Sequence, residues 1–367
     1  MSMFHALRRG RRKPPLRRGL AGLVAACAAM VAQASEYRFI DLGTLQGNYS
    51  SANDVNDAGT VVGYSSSTGK TSQVAARWTQ KGVPHRLGPP GRYGSASAIN
   101  NLDVAVGTTY TADGVHLHAR RWADGESIDL GTLGGSDSYA YDNNDAGWVV
   151  GASDVTGDAA FHAALWRDGQ VIDLGTLGGT DGYAAAVNNA GWIAGTSDTA
   201  DGSPRATLWV DGTATDLGTL GGSWSYAHAI NDAGDVVGCS DRPRNAGRYA
   251  ALWRGGEVID LGSLGGVGSC AYGINAAGQI VGQSYLPDEK GWKAWHAVLW
   301  DAGGIHDLND MIDKQARHAG WVLREAYAIN ARGVIVGTAR NKHTGVVTHG
   351  FKLEPRGQAS TTAAAGP

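Results

Sequence analysis

Two insertions in an otherwise regular chain carry side chains able to hold a ligand. Ser284 to Trp295 (SYLPDEKGWKAW) supplies Trp292, Lys293 and Trp295; Asn309 to Trp321 (NDMIDKQARHAGW) supplies Asp313, Arg317, His318 and Trp321. Indole faces stack on rings, and charged or imidazole groups orient polar ligand atoms, which is the chemistry of a carbohydrate or peptide site. A structural reading competes and is favoured. On that reading the second insertion braces the ends of the chain, with Trp321 as a plug.

Other reactive groups recur too regularly to mark one site. Asp129, Asp173, Asp216, Asp260 and Asp307 stand once per repeat. Each is expected to accept backbone N–H groups from the Gly-rich loop behind it rather than to hold a cation. His118, His162 and His296 have no Cys or acidic residue at metal-ligand spacing, so no zinc site is expected there. The Leu-Gly-Gly loops lack the Lys and helix start of a phosphate cradle, so no cofactor is expected. Glutamate is scarce: Glu126, Glu257, Glu289, Glu325 and Glu354 are all that follow Glu36. No Ser-His-Asp or paired-carboxylate arrangement is legible from spacing. Catalysts scattered over several repeats would leave no such trace.

The elements that must position these groups come from one repeating stretch. VIDLGTLGGTDGYAAAVNNAGWIAG, from Val171 to Gly195, recurs with edits along the chain. The Asn opening an Asn-x-x-Gly turn falls at Asn56, Asn100, Asn144, Asn188, Asn231, Asn275 and Asn330. Most steps are 44 residues; one is 43 and the last is 55. Trp78, Trp122, Trp166, Trp209, Trp253 and Trp300 mark the same units, with Leu353 in the seventh place. A period of this length signals a propeller or solenoid.

Each unit holds four short β-like runs. In the fourth these are Tyr183–Val187, Trp192–Gly195, Ala206–Trp209 and Thr213–Leu217, separated by turns such as Asn188–Gly191 and Asp211-Gly212. Helical periodicity is absent and Gly is abundant, with 55 residues. The chain begins with a lone fourth strand, Glu36 to Gly43, and ends with a lone third strand, His349 to Leu353. A closed ring lets the first complete the last and hides both edges. The expected fold is all-β: a seven-bladed β-propeller over residues 35–354, with four-stranded blades and the ring closed by the N-terminal strand. Residues 355–367 are expected to be a disordered tail.

His118-Ala119, His162-Ala163, His296-Ala297 and His349-Gly350-Phe351 precede or stand at the blade Trp position. With D-L-G-T-L-G-G and I-N-x-x-G-x-V-V-G they resemble the HAF extracellular repeat, named for a His-Ala-Phe tripeptide. The resemblance covers about residues 36 to 353. Departures include Arg120, Ala164 and Val298 in place of the Phe, and Asp103 in place of a turn Gly. The resemblance implies a secreted or cell-envelope repeat protein with no established activity, and it carries no catalytic residues.

Residues 1–34 read as an export signal. Seven basic residues from Arg8 to Arg18 precede an apolar run from Gly19 to Val31, and Ala32-Gln33-Ala34 is a cleavage box. The run is too short for a membrane span, and no other stretch could form one. Arg17-Arg18 points weakly to twin-arginine rather than Sec export, and a lipoprotein site at Cys27 is the lesser alternative. Without the leader, 24 Lys+Arg face 34 Asp+Glu, a net charge of −10. That balance disfavours nucleic acid and anionic membrane surfaces as partners. Cys239 and Cys270 fall on adjacent blades. Stacked sheets lie about 10 Å apart and bridged Cα atoms need less than about 7 Å, so two free, buried thiols are expected.

The resulting functional expectation is a non-enzymatic ligand- or protein-interaction module, periplasmic or extracellular. Its partner would be an unidentified protein, peptide or glycan, and oligomeric state is not legible. A lectin-like sugar binder is one alternative, with Trp148, Trp192 and Trp224 as further stacking faces. A propeller lyase or hydrolase with scattered catalysts is the other.

Overall fold

The computed structural model describes residues 36–67, 73–88, 93–287, 295–344 and 347–357. The expected leader, residues 1–34, and the tail from 358 lie outside them. The protein is an all-β propeller of antiparallel sheets arranged in a ring. Alternation of small and polar residues in each repeat makes strands because one strand face lies against the next sheet.

One unit shows the plan. Gly178–Val187, Ile193–Thr199, Pro204–Val210 and Thr213–Asp216 pair in sequence order as an antiparallel meander. Among the described residues five such four-stranded sheets occur. The first and last units are joined in one eight-stranded sheet by a single parallel bridge, Tyr49 with Thr348. The described residues therefore form six sheets where seven blades were expected. Tyr37–Asp41 pairs along Val347–Pro355, with Tyr37 opposite Pro355 and Asp41 opposite Phe351. The final strand thus runs to Pro355, two residues past the expected Leu353.

The core lies between neighbouring sheets. Val150, Ala163 and Leu165 of one sheet pack with Ala184, Val187, Ile193 and Trp209 of the next. Across the ladder the blade Trp residues stand opposite Val61, Ala105, Val149, Ile193, Val236 and Ile280, and Trp209 is only 1% exposed. Burying such a side chain contributes roughly 1.5–3 kcal/mol. Buried serines fasten the D-L-G-T-L-G-G loops. Ser197 Oγ accepts from Leu177 N at 2.9 Å, and Ser240 Oγ from Leu220 N at 2.9 Å.

Two short helices interrupt the all-strand expectation: α1 (Leu308–Met311) and α2 (Lys314–His318). Asp307 caps the first by accepting from Asn309 N, and Asp313 caps the second by accepting from Ala316 N at 2.9 Å. Leu308, Ile312 and Ala316 sink into the core against Tyr37, Phe351 and Leu353.

The free-thiol expectation is wrong. Cys239 and Cys270 form a disulfide with Cα atoms 4.9 Å apart. The 10 Å spacing holds for sheets stacked face to face. Propeller blades converge on the axis, and Cys270 sits in the innermost strand of its sheet, Ser269–Ile274.

Candidate functional site: the central channel

The innermost strand of every unit carries a β-bulge at the same place, for example between Ala52 and Asp54 and between Ala140 and Asp142. A bulge turns two consecutive side chains toward one side. Here they face the axis. A cavity of about 240 Å³ results, lined by Asn53, Asp54, Tyr141, Asp142, His228, Tyr272 and Tyr327 among others. Below it, the turn asparagines close the channel floor, where a second cavity of about 250 Å³ opens.

Two carboxylates dominate the electrostatics. Asp54 is pushed up to about 6 by burial, despite the N–H of Ile99 donating to Oδ2 at 2.8 Å. Asp142 is pushed up to about 7 by burial and then by the charge of Asp54. Val187 N donates to its Oδ2 at 2.8 Å and Asn143 N to its Oδ1 at 2.8 Å, which oppose the rise. Each carboxylate is thereby held by the neighbouring sheet, so its position is fixed by the ring. Burial also raises the tyrosines Tyr141, Tyr272 and Tyr327, which stay protonated donors. Burial, then the charge of Arg248, lowers His228 to about 4.

Aromatic rings lead away from the carboxylates. Tyr141 stacks on Tyr139 at 6.4 Å, Tyr139 meets Phe161 at 5.8 Å, and Phe161 stacks on Tyr183 at 6.4 Å. Tyr183 is 39% exposed, so the path reaches solvent. Arg248 lies over Tyr226 at 4.5 Å and Trp224 at 5.7 Å in the next unit.

The residues singled out by sequence are placed otherwise. Trp292 and Lys293 lie outside the described residues. Trp295 packs edge-on to Tyr285 at 6.0 Å, beneath the guanidinium of Arg324 at 4.3 Å. Asp313 accepts from Phe39 N at 3.3 Å and lies 3.5 Å from Arg356, so its carboxylate fastens the N-terminal strand. Trp321 sits between Phe39 at 5.6 Å and His349 at 5.5 Å. Arg317 and His318 are exposed on α2. Asp313 and Trp321 thus meet at the seam of the ring. Trp192 and Trp224 are exposed, whereas Trp148 is half-buried under Arg167 at 4.8 Å.

The strand-end aspartates do accept from their loops: Gly131 N donates to Asp129 at 2.9 Å and Gly175 N to Asp173 at 2.8 Å. Spacing missed their second partner. His118 Nδ1 lies 2.9 Å from Asp129, and His162, His296 and His349 repeat the contact with Asp173, Asp307 and Asp41 at 2.6–2.8 Å. The His and Asp are separated along the chain but adjacent across the third and fourth strands.

Asp54 and Asp142 were missed although a signal existed. The residue two before each turn asparagine is Ala98, Ala186, Ala229, Gly273 or Ala328 elsewhere; only these two repeats place a charge there.

No family model and no curated protein matches the chain, so the likeness to HAF repeats rests on the motifs alone. Solved structures do match. A puromycin hydrolase variant shares 15% identity over 80% of this chain and 50% of its own, TM-score 0.51. A Mycobacterium tuberculosis puromycin-hydrolysing peptidase shares 13% over 82% and 52%, TM-score 0.51. A Xanthomonas campestris gluconolactonase shares 11% over 89% and 93%, TM-score 0.45. The chain thus spans about half the length of the two puromycin hydrolases. At these identities the likeness is one of fold. It nonetheless corrects the expectation of a non-enzymatic module. That expectation leaned on the lack of a spaced catalytic motif, and the structures matched here include named hydrolases.

Proposed function

We propose that the protein is a seven-bladed propeller hydrolase whose acid–base pair, Asp54 and Asp142, works in the central channel. The observation that carries this is the pair itself. Two channel carboxylates from non-adjacent repeats are pushed to about 6 and about 7, the second partly by the first. Groups whose environments separate their proton affinities near neutrality are suited to general acid–base work. Between those values Asp54 is ionised and takes a proton from the attacking water. Asp142 is protonated and delivers its proton to the leaving group. The two then re-equilibrate with solvent, which restores the starting state. Tyr141 and Tyr272 keep their protons and donate to the oxygen on which charge develops, whereas the Tyr327 hydroxyl donates to the Glu325 carboxylate. The rings from Tyr183 to Tyr141 suit a substrate carrying a sugar or aromatic ring.

A blade count of seven is supported by the seven turn asparagines, each bonded to the next, and by pairing of the first strand with the last. Work outside the cytoplasm is supported by the leader-like residues 1–34 and by the Cys239–Cys270 disulfide.

The test is turnover of nitrophenyl esters, anilides and glycosides by the parent, Asp54→Asn and Asp142→Asn. Activity in one class, lost by about 100-fold or more in both variants at unchanged melting temperature, supports the assignment. Turnover that survives both substitutions, or none in any class, sinks it.

A further inference from the structure

We propose that His228, Cys239 and Cys270 form a redox-gated binding site for a zinc ion, open to the central channel. Their ligand atoms lie within 4.8 Å of one another, and His228 Nε2 is 3.4 Å from Cys239 Sγ. The residues come from three strands in two adjacent sheets: Ser225–Ile230, Val236–Asp241 and Ser269–Ile274. Both sulfurs are buried, at 5% and 7% residue exposure, whereas His228 lines the channel cavity.

The repeat supplies an independent argument. The place of His228 is held elsewhere by Asn53, Ser97, Tyr141, Ala185, Tyr272 and Tyr327. That of Cys239 is held by Tyr64, Thr108, Ala152, Thr196, Gln283 and Thr338. Cys270 replaces Ser51, Ser95, Tyr139, Tyr183, Tyr226 or Glu325. Each of the three substitutions is unique to its repeat, and all three converge at one point between two sheets. A structural disulfide needs only the cysteines; the histidine beside them is unexplained by it.

Two thiolates and one imidazole suit a borderline-soft d¹⁰ ion, and three protein ligands leave the fourth tetrahedral position for water or a ligand from the channel. In the oxidised protein the sulfurs are bonded to each other and cannot ligate. A thiol or phosphine reductant donates two electrons, and two protons are taken up to give two thiols. Zinc binding then displaces both thiol protons, so the reduced, loaded site carries Zn²⁺ on two thiolates and neutral His228. His228 lines the same cavity as Asp54 and Asp142, but neither carboxylate is among the proposed ligands, and the test does not depend on turnover.

The full chain, oxidised or reduced anaerobically with a phosphine, is given Zn²⁺ in competition with a chromophoric chelator. Bound metal is counted after gel filtration, and Co²⁺ replaces Zn²⁺ for spectroscopy. The expected result is one ion per reduced chain, none per oxidised chain, and a thiolate-to-cobalt charge-transfer band. His228→Ala should weaken binding beyond the roughly 10–100-fold that loss of an outer-shell partner costs. Cys239→Ser should abolish the band. Should that variant not fold, the oxidised parent and His228→Ala carry the comparison. Equal binding by the oxidised and reduced chains, no charge-transfer band, or an unchanged affinity in His228→Ala would overturn the proposal.

Discussion

The side-chain amide of Asn330 donates to the backbone carbonyl of Asn56 at 2.9 Å, across 274 residues of sequence. It is the last link of a chain in which Asn56 donates to Asn100, Asn100 to Asn144, and so on through Asn188, Asn231 and Asn275. All seven asparagines are buried. Each Oδ1 also accepts from the backbone four residues on, as Val334 N does to Asn330 at 2.9 Å. One residue type thus shapes the turn and ties it to the next. Both groups of the amide are used, so neither Asp nor Ser can replace it.

Closure at the rim depends on the N-terminal strand. Deleting residues 36–43 would expose the edge of Val347–Pro355 and remove Tyr37 and Phe39 from the core. The expected outcome is loss of a single cooperative unfolding transition, or aggregation, because an open strand edge pairs with other chains. Calorimetry with light scattering reads it. A deletion variant as soluble and as stable as the parent would show that the ring does not need this strand.

Gly195 ends the second run of its repeat, and a Cβ there would collide with the carbonyl oxygen of Tyr183 and approach Ala184 Cα. The same clash awaits at Gly63, Gly107, Gly151, Gly238, Gly282 and Gly337. Here glycine is required by close approach at the bulge rather than by a positive φ. Gly195→Ala should therefore destabilise by about 1–3 kcal/mol, the usual cost of overpacking. By contrast, Gly131→Ala meets no atom within 4 Å and should cost only the strain of its φ of +74°. Denaturant titration of both separates the two causes.

Repeat landmarks made the strands and the ring legible, because sheet packing imposes the same residue on every unit. Trp209 and its equivalents are buried as read, and the strand-end aspartates hold their loops. What was not legible was whatever depends on convergence at the axis. Cys239 and Cys270 stand 31 residues apart and on different sheets, and only the narrowing of the blades brings them together. Asp54 and Asp142 are 88 positions apart, and no spacing rule pairs them. The helical segment was invisible because α1 and α2, at 4 and 5 residues, are too short to show periodicity. Caps at Asp307 and Asp313 were the only sign.

Within that segment the residues should separate by role. Asp313→Ala loses the α2 cap, the bond from Phe39 N and the contact with Arg356, and should cost about 1–2 kcal/mol. Arg317→Ala and His318→Ala, both exposed, should stay within about 0.5 kcal/mol of the parent. Trp209→Ala, in the core, should cost roughly 3–5 kcal/mol. Chemical denaturation orders the four. A loss at Arg317 equal to that at Asp313 would mean that α2 does more than hold the seam.

The channel pair makes stability depend on pH in an unusual direction. An exposed aspartate loses its proton near 3.9 in the unfolded chain. In the folded protein Asp54 holds its proton up to about 6 and Asp142 up to about 7. Over that window the pair binds more protons in the folded state than in the unfolded one, so its contribution falls as pH rises; His228, lowered to about 4, offsets part of that fall below about 6.5. The contribution is fully present below about 4 and is gone above about 7, opposite to the usual salt-bridged carboxylate. Asp142→Asn removes one of the two groups. Asp142 is neutral while Asp54 titrates, so Asp54, raised by burial, should still titrate near about 6. The parent's melting temperature should decline from pH 4 to 7, and that slope should be shallower in Asp142→Asn. Scanning calorimetry of the two proteins at matched ionic strength measures it. A parent whose stability rises over this range, or a slope unaltered in Asp142→Asn, would mean that the channel carboxylates are ionised together at pH 5 and are not an acid–base pair.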